Sequence, residues 1–147
     1  MATDDARLEF FERMGQQAAN DGLTRSAGQI WAALLLADGP LSSAELTELL
    51  QITKGSISTN VRTLETLSIV ERRSKPGERQ DYYAIRENPY TALIEGQIKR
   101  FENANKIVAD AQNAIDGDAA KEKLAELAKF YALYQQSIIQ LLAAMKT

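Results

Sequence analysis

The amino-acid sequence predicts a mainly α-helical fold with one small β-hairpin. Two observations lead to this prediction. Apolar residues recur every three or four positions through most of the chain, in segments bounded by helix-capping residues. Only between residues 69 and 85 does the pattern change, to two short runs of β-branched and aromatic residues around a Pro-Gly turn. With 45% hydrophobic and 25% charged residues in 147, the composition is that of an ordinary globular domain.

The first two predicted helices are separated by Asp21-Gly22. The first covers residues 4–20, and its apolar side chains fall at helical spacing. These are Leu8, Phe11, Met14 and Ala18. Ser26, with Gln29 three residues later, predicts a capping box that opens a helix over residues 30–37. This second helix is apolar nearly all round, so we expect it to be buried between other elements.

Two further helices joined by a tight turn are predicted next. Ser42 and Glu45 have the spacing of a capping box and open a short helix. Its inward residues are predicted to be Leu46, Leu49 and Leu50. Thr53 caps a fourth helix that ends near Leu67. One stripe of this fourth helix is apolar and is predicted to pack on the preceding helices: Ile57, Val61 and Leu64.

The opposite face of the fourth helix is small, polar and cationic. Its candidate DNA-binding residues are Lys54, Gly55, Ser56, Ser58, Thr59, Asn60, Arg62 and Thr63. Small hydroxyl side chains let a helix enter the major groove closely, while amide and cationic side chains hydrogen-bond base edges or phosphates. The free N–H groups at a helix start also favour phosphate, which makes residues 54–56 an expected anchor point.

A β-hairpin follows the fourth helix. Residues 69–73 and 80–85 are its predicted strands, and proline and glycine stand in the connecting segment 75–78 where a type II turn favours them. Four cations of the hairpin are candidate DNA contacts: Arg72, Arg73, Lys75 and Arg79. Because helix, turn, helix and hairpin follow in this order, residues 23–87 are predicted to form a winged helix-turn-helix domain.

The charge pattern supports a local anion-binding surface. The chain as a whole has a net charge of −3, but residues 54–86 contain seven basic and four acidic side chains, against three and eight in residues 1–53. The absence of cysteine and histidine excludes thiol chemistry, imidazole metal sites and the usual catalytic triads. No phosphate-binding glycine loop, nucleophile elbow or metal-ligand set is present, so we expect neither an enzyme nor a cofactor.

Two long helices, over residues 89–115 and 119–146, complete the predicted fold. The last helix has a heptad seam of Leu124, Leu127, Tyr131, Tyr134, Ile138, Leu141 and Met145. The helix before it offers Ile94, Phe101, Val108 and Ile115 at sevenfold spacing. These seams predict an intersubunit bundle, with residues 88–147 as the dimerisation region and residues 1–22 joining it through Phe11. The alternative is a helical hairpin within one chain.

Residues 24–85 resemble the DNA-binding part of the MarR superfamily, and more narrowly of its GbsR-type branch. The motifs that carry the resemblance are Arg25–Ile30, Pro40–Ser42, Thr53–Ser58 and Pro76–Tyr83. The resemblance implies a dimeric transcriptional regulator, usually a repressor, that binds a palindromic operator in double-stranded DNA. Arg79 falls where the wing of that family has a DNA-contacting arginine, and Ser68 stands where the family commonly has glycine.

The resemblance also raises the possibility of a small-molecule effector. An aromatic cage for a quaternary ammonium ligand could use Trp31, Tyr82, Tyr83, Tyr90 and Phe101, although each of these is more often a core residue. The longest apolar run, Ile30–Ala37, is too short for a membrane helix, and no secretory signal stands out, so we expect a cytoplasmic protein. The alternative function is a winged-helix module that binds another protein rather than specific DNA.

Overall fold

The computed structural model describes the backbone of residues 2–147 and the side chains of residues 4–147. This part of the chain forms six α-helices and three β-strands. It divides into two compact units, Met1–Pro89 and Tyr90–Thr147. The prediction of a mainly helical fold with a small hairpin is confirmed.

The first unit begins with two closely packed helices, α1 (Ala2–Asn20) and α2 (Arg25–Leu36). At Gly28 of α2, a Cβ atom would lie 2.3 Å from the carbonyl oxygen of Met14, so only glycine permits this approach of the two helices. Phe11 of α1 is buried in the core of this unit, at 5% exposure. Its side chain therefore packs within its own chain, contrary to its predicted place at a dimer interface. The assignment of α1 to a dimerisation region stays a prediction.

The start of α2 differs from its predicted start. Thr24 is the N-cap, and its hydroxyl accepts a hydrogen bond from the amide of Ala27 at 3.0 Å. The predicted capping box at Ser26 is therefore wrong, because Ser26 already lies inside the helix. The expected burial of α2 is confirmed, with six of its residues inside the unit: Ala27, Gly28, Ile30, Ala32, Ala33 and Leu34.

The next two helices, α3 (Ser43–Leu50) and α4 (Lys54–Thr66), follow the predicted helix-turn-helix. The capping box of α3 is confirmed: the Ser42 hydroxyl accepts from the Glu45 amide, and the Glu45 carboxylate accepts from the Ser42 amide, both at 3.1 Å. Thr53 caps α4, as predicted from the sequence.

The core of the first unit lies between α2, α3, α4 and the hairpin. Its largest fully buried apolar side chains are Ile30, Leu46, Ile57, Val61, Leu64 and Ile69. The predicted apolar stripe of α4 is thus confirmed. Leu50 packs against this core, but Leu49 is 42% exposed, so its predicted inward orientation is wrong. The eight-residue α3 contacts the core only through the side that carries Leu46 and Leu50.

A three-stranded antiparallel sheet completes the first unit. Its strands are β1 (Leu41–Ser42), β2 (Val70–Ser74) and β3 (Asp81–Ile85), in the order β1-β3-β2. The hairpin of β2 and β3 was predicted. The third strand, β1, was not, because two residues are too short to show the alternation of a strand. It pairs Leu41 with Tyr83, which ties the start of α3 to the hairpin.

The second unit is built from two long helices, α5 (Pro89–Ala114) and α6 (Asp118–Met145), close to their predicted bounds. The helices run in opposite directions, since Lys146 at the end of α6 lies 3.5 Å from Glu95 near the start of α5. Within residues 2–147, no helix combines the length and the apolar character that crossing a membrane requires.

Candidate nucleic-acid interface

The polar side of α4 is the centre of the candidate interface. Because Ile57, Val61 and Leu64 are buried, the opposite side of the helix faces solvent. Its exposed residues are Lys54, Gly55, Ser58, Thr59, Arg62 and Thr66, with Ser56 and Thr63 half-buried at the edges. The hydroxyl of Thr53 accepts from the Ser56 amide at 3.1 Å and fixes the first turn. The predicted separation of an apolar and a polar face is present in the structure.

Two cations on this face are not neutralised by any side chain of residues 4–147. The ammonium of Lys54 and the guanidinium of Arg62 form neither a salt bridge nor a side-chain hydrogen bond with residues 4–147. Gly55, between them, has open space where a Cβ would stand, so packing does not require glycine there. Both charges and the first turn of α4 are therefore accessible to an anion.

Asn60 does not belong to the exposed face, and its predicted contact with DNA is wrong. It is 6% exposed, because it lies on the inward edge of α4 beside Val61. Its amide nitrogen donates to the carbonyl oxygen of Ser56 at 2.8 Å and to its hydroxyl at 3.2 Å. Its amide oxygen accepts from the hydroxyl of Thr24. Asn60 therefore joins α4 to the N-cap of α2.

The tip of the hairpin, hereafter the wing loop (residues 75–80), has the predicted turn. Gly77 has a φ of 79°, and the Glu78 amide donates to the carbonyl oxygen of Lys75 at 3.1 Å, the geometry expected of a type II turn after Pro76. The hydroxyl of Tyr82 contacts this loop and accepts a hydrogen bond from the Gln80 amide. A hydrogen bond with the Glu78 carboxylate raises the pKa of Tyr82 above its ordinary value.

Each of the four predicted wing cations has a different environment. Lys75 places its ammonium 4.0 Å from the centre of the Tyr82 ring. Arg73 donates two hydrogen bonds to Glu71, two residues earlier on β2. Arg79 is exposed and makes no side-chain hydrogen bond or ion pair with residues 4–147.

Arg72 is the fourth wing cation, and the structure gives it a different place from the one predicted. Its two terminal nitrogens each lie 3.1 Å from a carboxylate oxygen, one on Glu65 and one on Asp81. The hydrogen bond with Glu65 raises the pKa of Arg72 further above its ordinary value. Its charge is balanced within the chain, so Arg72 is not the free cation that the sequence predicted.

The resulting surface suits a polyanion. Small hydroxyl side chains on α4 leave room for close approach. Lys54 and Arg62 on α4 and Arg79 on the wing loop are cations that no side chain of residues 4–147 pairs with. Among residues 4–147, no three His, Cys, Asp or Glu side chains are grouped so that they could hold a metal ion.

The second unit has an apolar face that the sequence located only in part. Of the predicted seam, Ile138 is buried, whereas Tyr134 and Leu141 are exposed at 42% and 47%. The half-buried residues of the seam are Leu124, Leu127, Tyr131 and Met145. On α5, Ile94 and Val108 are buried, Phe101 is half-buried, and Ile115 is exposed beyond the helix end.

Three large apolar residues of α6 lie outside the predicted seam and are more exposed than any member of it: Phe130, Leu133 and Ile139. Phe130 and Leu133 are both 55% exposed. At helical spacing they share one side of α6 with Tyr134 and Leu141, and these four residues are called the α6 stripe hereafter. Their i, i+3 and i, i+4 spacing was visible in the sequence, but the heptad pattern was assigned to the neighbouring side.

Of the five aromatic residues considered for a ligand cage, Trp31, Tyr82 and Tyr83 lie in the first unit, and Tyr90 and Phe101 lie in the second. Tyr82 and Tyr83 are buried in the first unit, and each already has a cation of the chain over its ring. Phe101 stacks on Tyr134 at 4.7 Å between ring centres, within the second unit.

Known proteins are similar to this chain in sequence and in fold. A family model described as MarR family matches residues 21–80. The HTH-type transcriptional regulator MmpR5 of Mycobacterium tuberculosis is 30% identical over 142 residues, which cover 95% of this chain and 86% of that protein. A crystal structure of a transcriptional regulator superposes with a TM-score of 0.84 at 27% identity, over 96% of this chain and 98% of the other.

These comparisons bear on the class of the protein. Both relatives are named as transcriptional regulators, which supports the prediction that the chain is not an enzyme. The superposition over nearly the whole chain includes α4 and the wing. The chain is a member of the MarR family of winged-helix transcriptional regulators.

Proposed function

We propose that the chain is a homodimeric, sequence-specific DNA-binding regulator that represses transcription and is released from its operator by a small effector. The observation that carries the proposal is the exposed side of α4, where small hydroxyl side chains surround Arg62, which pairs with no described side chain. A helix with this surface fits the major groove of double-stranded DNA. Because the proposed target is DNA, we propose that the protein acts in the cytoplasm.

The proposed contacts divide between the two grooves. On α4 they are Lys54, Gly55, Ser56, Ser58, Thr59, Arg62 and Thr63. On the wing, Arg79 and Lys75 reach the backbone or the adjacent minor groove, where the negative potential attracts cations. Arg73 contributes less, since Glu71 shares its charge. The winged-helix domain is proposed to cover residues 23–87.

Dimerisation is proposed to use residues 88–147, with help from residues 1–22. The support is the α6 stripe, because four large apolar side chains on one side of a helix favour a covering protein surface. On α1, Leu8 is also exposed, at 51%. Two copies related by a twofold axis would place two α4 helices on successive major grooves, which is the geometry of a palindromic operator.

The effector and the narrower family branch rest on the motifs alone. We propose membership of the GbsR-type branch from Arg25–Ile30 and Pro76–Tyr83. A quaternary ammonium effector would accompany that assignment. Since Tyr82 and Tyr83 already face cations of their own chain, a cage would need the other faces of these rings or different aromatic residues.

The test is binding of the purified protein to DNA from upstream of its own gene, measured by fluorescence anisotropy at several salt concentrations. A scrambled duplex of the same length and composition is the control. We expect a preference of about 10³-fold or more for the natural duplex and a steep loss of affinity with salt. Equal affinity for both duplexes would contradict the proposal and favour a protein-binding module.

A further inference from the structure

One arginine of the wing joins three parts of the first unit. Arg72 lies on β2, yet its guanidinium contacts Glu65 in α4 and Asp81 at the start of β3, at 3.1 Å in each case. The same guanidinium lies 5.5 Å from the centre of the Tyr83 ring. These four residues, Glu65, Arg72, Asp81 and Tyr83, are called the Arg72 clamp hereafter.

The register of the hairpin explains why Arg72 occupies this position. Arg72 is directly opposite Tyr83, and Ser74 is opposite Asp81, so all four side chains leave the same face of the hairpin. Arg72 and Asp81 are diagonal neighbours across the strands, a separation that a long side chain can span. Glu65 approaches the same guanidinium from the last full turn of α4.

The neighbouring arginine provides the contrast. Arg73 points to the other face of the hairpin and pairs with Glu71 of the same strand. That ion pair connects two residues of β2 and does not join β2 to another element. The Arg72 clamp instead connects α4, which carries the exposed cation Arg62, to the hairpin, whose loop carries the exposed cation Arg79.

We propose that Arg72 is a positioning residue, which holds the wing against α4 so that both elements meet the DNA in one fixed register. This inference rests on the proposed function. Arg72 contributes no phosphate contact in this account, because each terminal nitrogen of its guanidinium already pairs with a carboxylate. Specificity depends on the clamp because contacts in two grooves must form together.

The most discriminating variant is Glu65→Gln. Removing an acidic side chain near a DNA-binding surface ordinarily strengthens binding, since it removes repulsion of the phosphates. The clamp predicts the opposite change for Glu65→Gln: its affinity for the operator should fall roughly tenfold. The matched control is Glu71→Gln, which removes the same charge from the Arg73 pair and is expected to keep or slightly raise the affinity.

The salt dependence separates positioning from direct contact. Arg72→Gln is expected to lower operator affinity while leaving the slope of log affinity against log salt unchanged. Arg79→Ala, by contrast, is expected to reduce that slope by about one, as the loss of a phosphate contact does. In the double variant Glu65→Gln/Arg72→Gln, loss of Glu65 should no longer weaken binding, because its partner is already absent.

The possible outcomes distinguish the clamp from the proposed function. If the wild-type protein shows no preference for its operator, the proposed function fails and the clamp with it. If the wild type is specific but Glu65→Gln binds the operator as tightly or more tightly, the clamp is overturned alone. Thermal melting of each variant verifies folding, and exposed ion pairs of this kind contribute little to stability.

Discussion

α4 and α6 each bury one side and expose the other, yet their exposed sides have opposite chemistry. α4 exposes small hydroxyl side chains and two cations, Lys54 and Arg62, that form no ion pair in the part of the chain whose side chains are described. α6 exposes the α6 stripe, in which Phe130 and Leu133 are each 55% accessible. A surface without large apolar groups can face water or a hydrated polyanion at little cost in free energy. An apolar stripe lowers the free energy when another protein surface covers it and removes it from water. The difference supports the proposal that α4 contacts nucleic acid and that α6 contacts a second copy of the chain.

The largest expected effect comes from the α6 stripe. Phe130→Glu combined with Leu133→Glu would place two charges on the proposed dimer contact and convert the dimer to a monomer. Operator affinity should then fall by about 10³-fold, because two linked half-site contacts become one. Light scattering after size exclusion gives the mass, and anisotropy gives the affinity. Gln136→Glu, an exposed polar residue of the same helix, is the control and should remain dimeric.

The second-largest loss of operator affinity is expected when cations of the polar surface are removed. Arg62→Ala combined with Arg79→Ala should lower operator affinity by about 10²-fold and reduce the salt slope by about two, since each cation accounts for one contact. Dimer mass and melting temperature should stay as in the wild type. Removing Lys121 and Lys129, two exposed cations of α6, is the matched control. Unchanged affinity in the first variant would remove Arg62 and Arg79 from the interface.

A third variant tests the boundary between the buried and exposed sides of α4. Asn60→Ala should destabilise the fold by about 1 kcal/mol, because it removes the hydrogen bonds by which the buried Asn60 amide joins α4 to the N-cap of α2. Thr59→Ala, on the exposed side one residue away, should leave stability within about 0.5 kcal/mol and weaken DNA binding. Urea denaturation measures both. The same loss of stability in both variants would contradict the division of this helix into two sides.

The smallest expected effect concerns the first turn of α4. Gly55→Ala should stabilise the protein by roughly 0.5–1 kcal/mol, because alanine is the better helix former and its methyl group would meet open space. The same methyl group should weaken DNA binding several-fold if phosphate approaches this turn closely. Opposite signs for stability and affinity are the expected signature. A gain in stability with no loss of affinity would exclude the first turn of α4 from the contact.

Local rules predicted the elements of the fold well. The caps at Ser42 and Thr53 and the stripe of Ile57, Val61 and Leu64 depend only on neighbours a few residues away. Ser68 is a related case: its φ of 66° lies in the left-handed region, which glycine adopts with the least strain.

Long-range partners were beyond the reach of the sequence. Nothing near Asn60 indicates that its amide is taken by Thr24, 36 residues away. The pairing of Arg72 with Glu65 and Asp81 depends on strand register and on the approach of α4 to the hairpin. On α6, nearly every side carries apolar residues, so the spacing alone did not decide which side α5 covers.

The central claim is that the exposed side of α4 faces DNA and that α6 does not. The chain has no cysteine, so a single cysteine can carry an iron chelate that cleaves nearby DNA. We would place it at Thr66, on the side of α4 that carries Arg62, and separately at Gln136 of α6; both residues are exposed. The account predicts cleavage clustered in each operator half-site from residue 66 and none from residue 136. Cleavage from residue 136 alone, with operator bound, would contradict it.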